Sequence, residues 1–203
     1  MIPLRDKIPI RSKVPNRKNY ICYRDELESD FNSRCGYCDD HLKEKKLFEI
    51  DHFAPLKYFD DLKNVYENLV YSCRFCNRSK NGYWFGGNEG DPKIPHGKKE
   101  GLVDPCCREY DKQLHRSKEG RIIPKTELGK FMIKRLNLQL LRHKHLWDSR
   151  QSQKELEKVN KLLAEFKESK LKNADYEISH LNNIKKHHEN IIESENLAGS
   201  SVK

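Results

Sequence analysis

Two Cys-x-x-Cys pairs, Cys35/Cys38 and Cys73/Cys76, constrain this chain more than any other feature. Two residues between paired cysteines let both sulfurs reach one ion at ~2.3 Å, and two such pairs make the tetrahedral thiolate set that Zn2+ prefers. The pairs stand far apart in sequence, so a shared ion would close a long loop. Of the 203 residues only 35% are hydrophobic and another 35% are charged. A core that modest gains from a metal that fixes geometry the side chains alone cannot hold. A redox-active Cys-x-x-Cys would need only one pair, on an α/β fold, and the pattern here is neither. Cys22, Cys106 and Cys107 are left over and read as small buried or half-buried thiols.

Between the pairs lies Asp51-His52, and Asn77 follows Cys76 directly. Imidazole is the side chain best poised to take a proton near neutral pH. A carboxylate and an amide oxygen are hard donors suited to a divalent cation such as Mg2+ or Mn2+. The expected arrangement puts Asp51 and Asn77 on the cation and His52 on a water. Hydrolysis of a phosphodiester needs that combination of activated water and positive charge. On its own an Asp-His dipeptide is more often a solvated acid beside a half-buried imidazole; its place inside the cysteine bracket changes the reading.

The net charge is +9, so a polyanion is the expected partner, with nucleic acid ahead of an anionic membrane. No apolar run approaches the ~20 residues that span a bilayer, which argues against a membrane role and for a cytoplasmic protein.

Pattern along the chain predicts a short amphipathic helix over Tyr20 to Phe31 and strands at Leu47–Ile50 and Leu69–Tyr71. A short helix is expected from Cys76, stopped by Asn81-Gly82. Further helix is expected from Thr126, a candidate N-cap, to Trp147, with a turn possible at Asn137. Two apolar stripes follow, Leu156/Val159/Leu163/Phe166 and Ile178/Leu181/Ile184/His188/Ile191, with a candidate turn at Asn173-Ala174-Asp175. They fit a helical hairpin or one long helix. The Pro-bearing basic stretch Met1 to Asn19 reads as an extended arm that is not packed, and the tail from Leu197 as loose. The remaining histidines, His143 among them, read as surface or packing residues.

Four motifs in order, Cys35-Gly-Tyr-Cys38, Glu49-Ile-Asp51-His52-Phe-Ala-Pro55, Glu67-Asn68-Leu69-Val70 and Cys73-Arg-Phe-Cys76-Asn77-Arg-Ser-Lys80, resemble the zinc-containing HNH endonucleases. The resemblance covers about Arg34 to Gly82. It implies an α+β protein with a small zinc-stabilised ββα-metal core and surrounding and C-terminal helices. By position it makes His52 the general base, Asp51 and Asn77 the catalytic metal ligands, and Asn68 the residue that pins the loop through its backbone. The last family position is often His; here it is Asn77, which leaves the choice of cation more open. Arg74, Arg78 and Lys80 read as phosphate contacts from the site helix.

Outside that stretch the start Met1-Ile-Pro-Leu-Arg5 and the segment Thr126-Glu-Leu-Gly-Lys-Phe-Met look similar to HNH proteins of Septu and retron-type anti-phage systems. Those proteins accompany an ABC-type ATPase, so the resemblance implies such a partner. The expected organisation is an N-terminal arm and helix (1–34), a zinc-containing HNH core (35–90), a connector with helical support (91–148) and charged C-terminal helices for partner docking (149–198). The expected activity is metal-dependent cleavage of DNA. The alternatives are an RNA (tRNA) endonuclease and a non-catalytic zinc-stabilised nucleic-acid binder, which would have no need of Asp51, His52 and Asn77.

Overall fold

A computed structural model of the chain describes residues 1–41, 47–169 and 174–200. The chain divides into two compact units, Met1–His143 and Lys144–Lys203. The fold is α+β, as expected, and among the described residues no helix is long and apolar enough to cross a membrane.

The first unit is built around an antiparallel pair, β1 (Phe48–His52) and β2 (Leu69–Cys73), with Phe48 opposite Cys73 and His52 opposite Leu69. Strand β2 runs straight into helix α2 (Arg74–Lys80). Asn81 ends that helix in the left-handed conformation, φ 48°, which Asn tolerates better than other residues with side chains. Strand, loop, strand and helix therefore follow the expected order, with each strand two residues longer at its C-terminal end. Every residue of β2 is buried. A turn of 3-10 helix (Tyr20–Tyr23) leads into α1 (Arg24–Asp30), which packs on β2. Tyr23, Leu27 and Phe31 recur every four residues and are all buried, so one helical face supplies this contact.

The N-terminal stretch is extended but docked, unlike the free arm read from its prolines and charges. Arg5 forms a two-bonded ion pair with Asp111, both at 2.9 Å. Arg11 bonds Asp104 at 2.8 Å and the Leu69 carbonyl at 3.1 Å. Guanidinium groups suit such forked contacts, and here they fasten the segment to the body. Ile2 extends this by bridging to Arg116.

After the connector, α3 (Glu109–Gln113) leads into a small hairpin, β3 (Leu114–Arg116) and β4 (Ile122–Pro124). Neither strand was expected; three residues are too few to show a period of two. Helix α4 (Glu127–Leu136) packs on β4 and α2. The Thr126 hydroxyl caps it by accepting from the Gly129 N–H at 2.9 Å, and Asn137 closes it with φ 51°. Cap and turn both fall where the sequence places them.

Arg116 of β3 lies almost wholly out of solvent. Its guanidinium donates to the carbonyls of Gly120 (2.9 Å), Cys38 (3.0 Å), Leu4 (3.3 Å) and His143 (3.5 Å). Nothing in a lone Arg between His115 and Ser117 announces that role.

The second unit holds most of α5 (Leu141–Ser169) and all of α6 (Ala174–Ser200). These are two helices, with the candidate turn residue Asn173 outside the described residues. Val159 and Leu163 are buried and Leu156 and Phe166 half-buried, so the α5 stripe faces inward. All five residues of the α6 stripe are half-buried. Glu155 of α5 is held below the usual carboxylate range, first by its bond from Lys158 and more weakly by the charge of His188 of α6. Helix α6 continues to Ser200, past the point where a loose tail was expected.

Candidate active site and metal centre

The four cysteines of the two pairs are buried, free of disulfides, and converge, their sulfurs all within 4.8 Å of one another. Cys35 and Cys38 come from the turn that precedes β1. Cys73 ends β2, and Cys76 sits in the first turn of α2. Gly36 lets the turn approach the strand: a Cβ there would stand 2.6 Å from the Phe31 ring, and its N–H bonds the Tyr71 carbonyl at 2.9 Å. The Cys38 and Cys73 sulfurs are 3.9 Å apart. A tetrahedron with metal–sulfur bonds of ~2.3 Å has edges of about 3.8 Å. Burial pushes the Cys38 thiol well above its ordinary value. A cation among the sulfurs reverses that penalty, because a coordinated thiol is deprotonated outright. The cluster therefore fits a tetrathiolate metal site in donor type, spacing and desolvation.

A second layer lies behind it. Asp40 accepts from His143 Nδ1 at 2.5 Å and from Arg142 at 3.3 Å, with Arg116 at 3.9 Å. Asp40, His143 and Cys38 also stand close enough to hold an ion. Two guanidinium groups already balance the Asp40 carboxylate, which disfavours a further cation there. His143 thus belongs to the packing class assigned from sequence, but it packs against the cysteine cluster. Arg142 also lies over the Phe75 ring of α2 at 3.9 Å. Of the other thiols, Cys106 is half-buried as expected and burial pushes it up to about 12, whereas Cys22 and Cys107 are exposed, against the buried or half-buried reading.

Strand β1 carries the polar residues on both faces, since side chains alternate along a strand. Glu49 and Asp51 face one way, toward α2. The Asn77 amide donates to Glu49 Oε2 at 2.8 Å. Asp51 is nearly buried; Lys80 Nζ bonds its Oδ1 at 2.9 Å and the Tyr37 hydroxyl donates to its Oδ2 at 2.5 Å. Burial, then the Asp51 charge, holds the Tyr37 phenol well above its usual value, so it stays protonated and keeps donating. Lys80 also bonds the His52 carbonyl at 2.6 Å.

That placement corrects the reading of Lys80 as a phosphate contact. It is 1% exposed and serves inside the site, where it neutralises Asp51 and ties α2 to the end of β1. A Lys at the end of a short helix is usually exposed; only the buried carboxylate beneath it draws it in. Arg78 is exposed, with a 3.9 Å approach to Glu49, and Arg74 is half-buried. Glu49 was missed as a member of the site, although it lies two residues before Asp51 and therefore on the same face.

His52 occupies the other face and is half-exposed. Its Nε2 lies 2.9 Å from the Lys63 carbonyl oxygen. A carbonyl only accepts, so Nε2 carries the proton and Nδ1 is left with the lone pair. Burial lowers the His52 pKa from 6.5, the Lys63 bond and Asp51 opposing and Lys80 assisting, so the ring is neutral near pH 7.

The loop that supplies this carbonyl runs from Phe53 to Asn68. Asn68 fastens it: Oδ1 accepts from the Ala54 N–H at 2.7 Å, and Nδ2 donates to the Ala54 carbonyl at 3.0 Å and the Leu62 carbonyl at 3.4 Å. The donor set for a divalent cation fits in kind: a carboxylate at Asp51, a second at Glu49 and the Asn77 amide are presented between β1 and α2. The Lys80 ammonium and the Tyr37 phenol are the groups such a cation would compete with at Asp51.

Residues 35–82 match the family model described as HNH endonuclease. The chain is 29% identical to a Septu protein PtuB of Bacillus mycoides over 154 residues, 64% of this chain and 52% of that protein. It is 38% identical over 50 residues to a Septu protein PtuB of Bacillus thuringiensis, 24% of this chain and 20% of that protein. It is 33% identical over 67 residues to protein ea31 of Escherichia phage lambda, 33% of this chain and 22% of that protein. At most, then, the match spans about half the length of these curated relatives. No solved structure matches the chain. Cysteine turn, β1, β2 and α2 all lie inside the stretch that matches the HNH endonuclease model, and the chain is similar to the Septu proteins PtuB.

Proposed function

We propose that this protein is a metal-dependent endonuclease that hydrolyses phosphodiester bonds of DNA as the effector of an anti-phage defence system. The observation that carries the reading is His52: half-exposed, with one nitrogen committed to the Lys63 carbonyl, the other bearing a lone pair, and burial lowering its pKa. Such an imidazole takes a proton from water as the water oxygen bonds to phosphorus and the bond to the departing sugar oxygen breaks. Asp51 and Asn77, with Glu49 beside them, would hold Mg2+ or Mn2+, which when bound supplies positive charge at the phosphate. The chain's own part is to fix His52 through Lys63, hold that loop through Asn68, and set the β1–α2 spacing through Lys80. The four cysteines would hold structural Zn2+. Arg74 and Arg78 lie on the site helix where they can meet phosphates.

The resemblance to defence proteins that accompany an ABC-type ATPase supports such a partner and a cytoplasmic setting, with the two long C-terminal helices as the docking element. Cleavage of labelled duplex DNA, single-stranded DNA and tRNA in Mg2+ or Mn2+, with and without the neighbouring ATPase, tests the whole reading. His52→Ala is expected to lose about 10²–10⁴-fold in single-turnover rate with its zinc intact. Retention of the wild-type rate removes His52 as the base. Cleavage of tRNA alone moves the substrate to RNA.

A further inference from the structure

We infer that Tyr20 is a positioning residue for His52. This rests on His52 being the base, and it brings into the site a residue outside the 35–82 stretch that matches the HNH model. The two rings meet edge to face, centroids 4.6 Å apart and planes at 72°. Aromatic pairs favour that geometry because the positive edge of one ring meets the negative face of the other.

The same residue is fastened to the loop that holds His52 from the other side. The Tyr20 N–H donates to Asn64 Oδ1 at 3.0 Å, and Asn64 directly follows the Lys63 whose carbonyl holds Nε2. Tyr20 is itself well placed for this. It opens a turn capped by Asn19, whose side chain accepts from the Ile21 N–H at 3.0 Å. That turn ends in Tyr23, which is fully buried and packs on the Tyr66 ring at 4.9 Å.

The chemical need for a second contact follows from the imidazole itself. A single bond to Lys63 leaves the ring free to turn about its last side-chain torsion, and a half-turn takes Nε2 off the carbonyl and with it the directing of the proton to Nε2. A ring pressed against it edge to face opposes that turn. Tyr20 therefore keeps the proton on Nε2 and the lone pair on Nδ1. The turn that opens the first helix, outside the cysteine bracket, thereby completes the catalytic constellation.

The test compares Tyr20→Phe, Tyr20→Ala and Tyr20→Leu in the full-length protein. Two readouts are used: kcat and KM on labelled duplex DNA, and long-range proton–nitrogen spectra of the His52 ring, assigned with His52→Gln. Tyr20→Phe is expected to keep the Nε2–H tautomer and stay within about 2-fold of the wild-type kcat. Tyr20→Ala is expected to lose about 10–100-fold in kcat with little change in KM, and to show averaged ring-nitrogen shifts. Zinc content and circular dichroism report whether Tyr20→Ala is folded; if it is not, Tyr20→Leu takes its place. A His52 spectrum unchanged on loss of the Tyr20 ring overturns the assignment. So does a defect confined to KM, which makes Tyr20 a substrate contact. Because the spectra need no turnover, failure of the nuclease reading shows separately, as spectral changes in a protein that cleaves nothing.

Discussion

Asn68 shows how one side chain sets the position of another without touching it. Its amide grips both backbone groups of Ala54, closing the loop whose Lys63 carbonyl holds His52. Replacing it with Ala leaves a buried N–H and carbonyl without partners, at about 1–3 kcal/mol each. Asn68→Ala is thus expected to melt earlier in thermal denaturation and to cleave more slowly, with KM little changed. The pH profile belongs at this scale too. A base works when unprotonated, and burial lowers the His52 pKa below 6.5. Activity should rise with pH through a midpoint below that value, then level off. A midpoint above 6.5 in kcat/KM would mean that desolvation does not govern this ring. Much of the site was legible from residue identity: Asp51, His52, Asn68 and Asn77 were singled out, and the fold sets them around β1, the Phe53–Asn68 loop and α2. Glu49 was not, and Lys80 was given a different role, because both depend on which face of β1 meets α2, and identity alone does not state that.

At the scale of elements, the cysteine cluster is what joins the turn before β1, the end of β2 and the start of α2. Strong chelation is expected to loosen all three together. A loss of only ~5 kcal/mol of metal-coupled folding energy, below the ~10–16 kcal/mol of isolated zinc fingers, would lower the melting temperature by ~10–20 °C. Calorimetry of metal-loaded and stripped protein measures it; identical curves would show that the thiols pack stably without an ion. The strands and α2 were readable because cysteines, a left-handed Asn81 and apolar runs punctuate them. Helix α4 was readable from Thr126 and Asn137. The β3–β4 hairpin was not, since its pattern is only three residues long on each side and its hold on the rest runs through Arg116. The long helices announced themselves through four-residue stripes, which fix the inward face but leave open where one helix ends and the next begins.

At the scale of the whole molecule, the charge of +9 should appear as salt dependence. Each phosphate neutralised releases counterions, and about six contacts lose roughly 10³-fold in affinity between about 50 and 200 mM salt. Fluorescence anisotropy with catalytically silent His52→Ala is expected to show a steep linear fall of log affinity with log salt. A flat response would mean that the basic residues are spent inside the protein. Several are: Arg5 and Arg11 hold the N-terminal segment, Lys80 is sealed under β1, and Arg116 never reaches water. Net charge read from composition therefore overstates what a polyanion meets.

Arg116 also has a bearing on how the chain is made. Its carbonyl acceptors, at Leu4, Cys38, Gly120 and His143, are contributed by four stretches that leave the ribosome at widely separated times. The guanidinium cannot be fully satisfied until residue 143 has emerged, so a nascent chain stalled before that point holds the cysteine turn and the active-site strands in an unfinished frame. The order of translation would thus delay completion of the frame around the four cysteines.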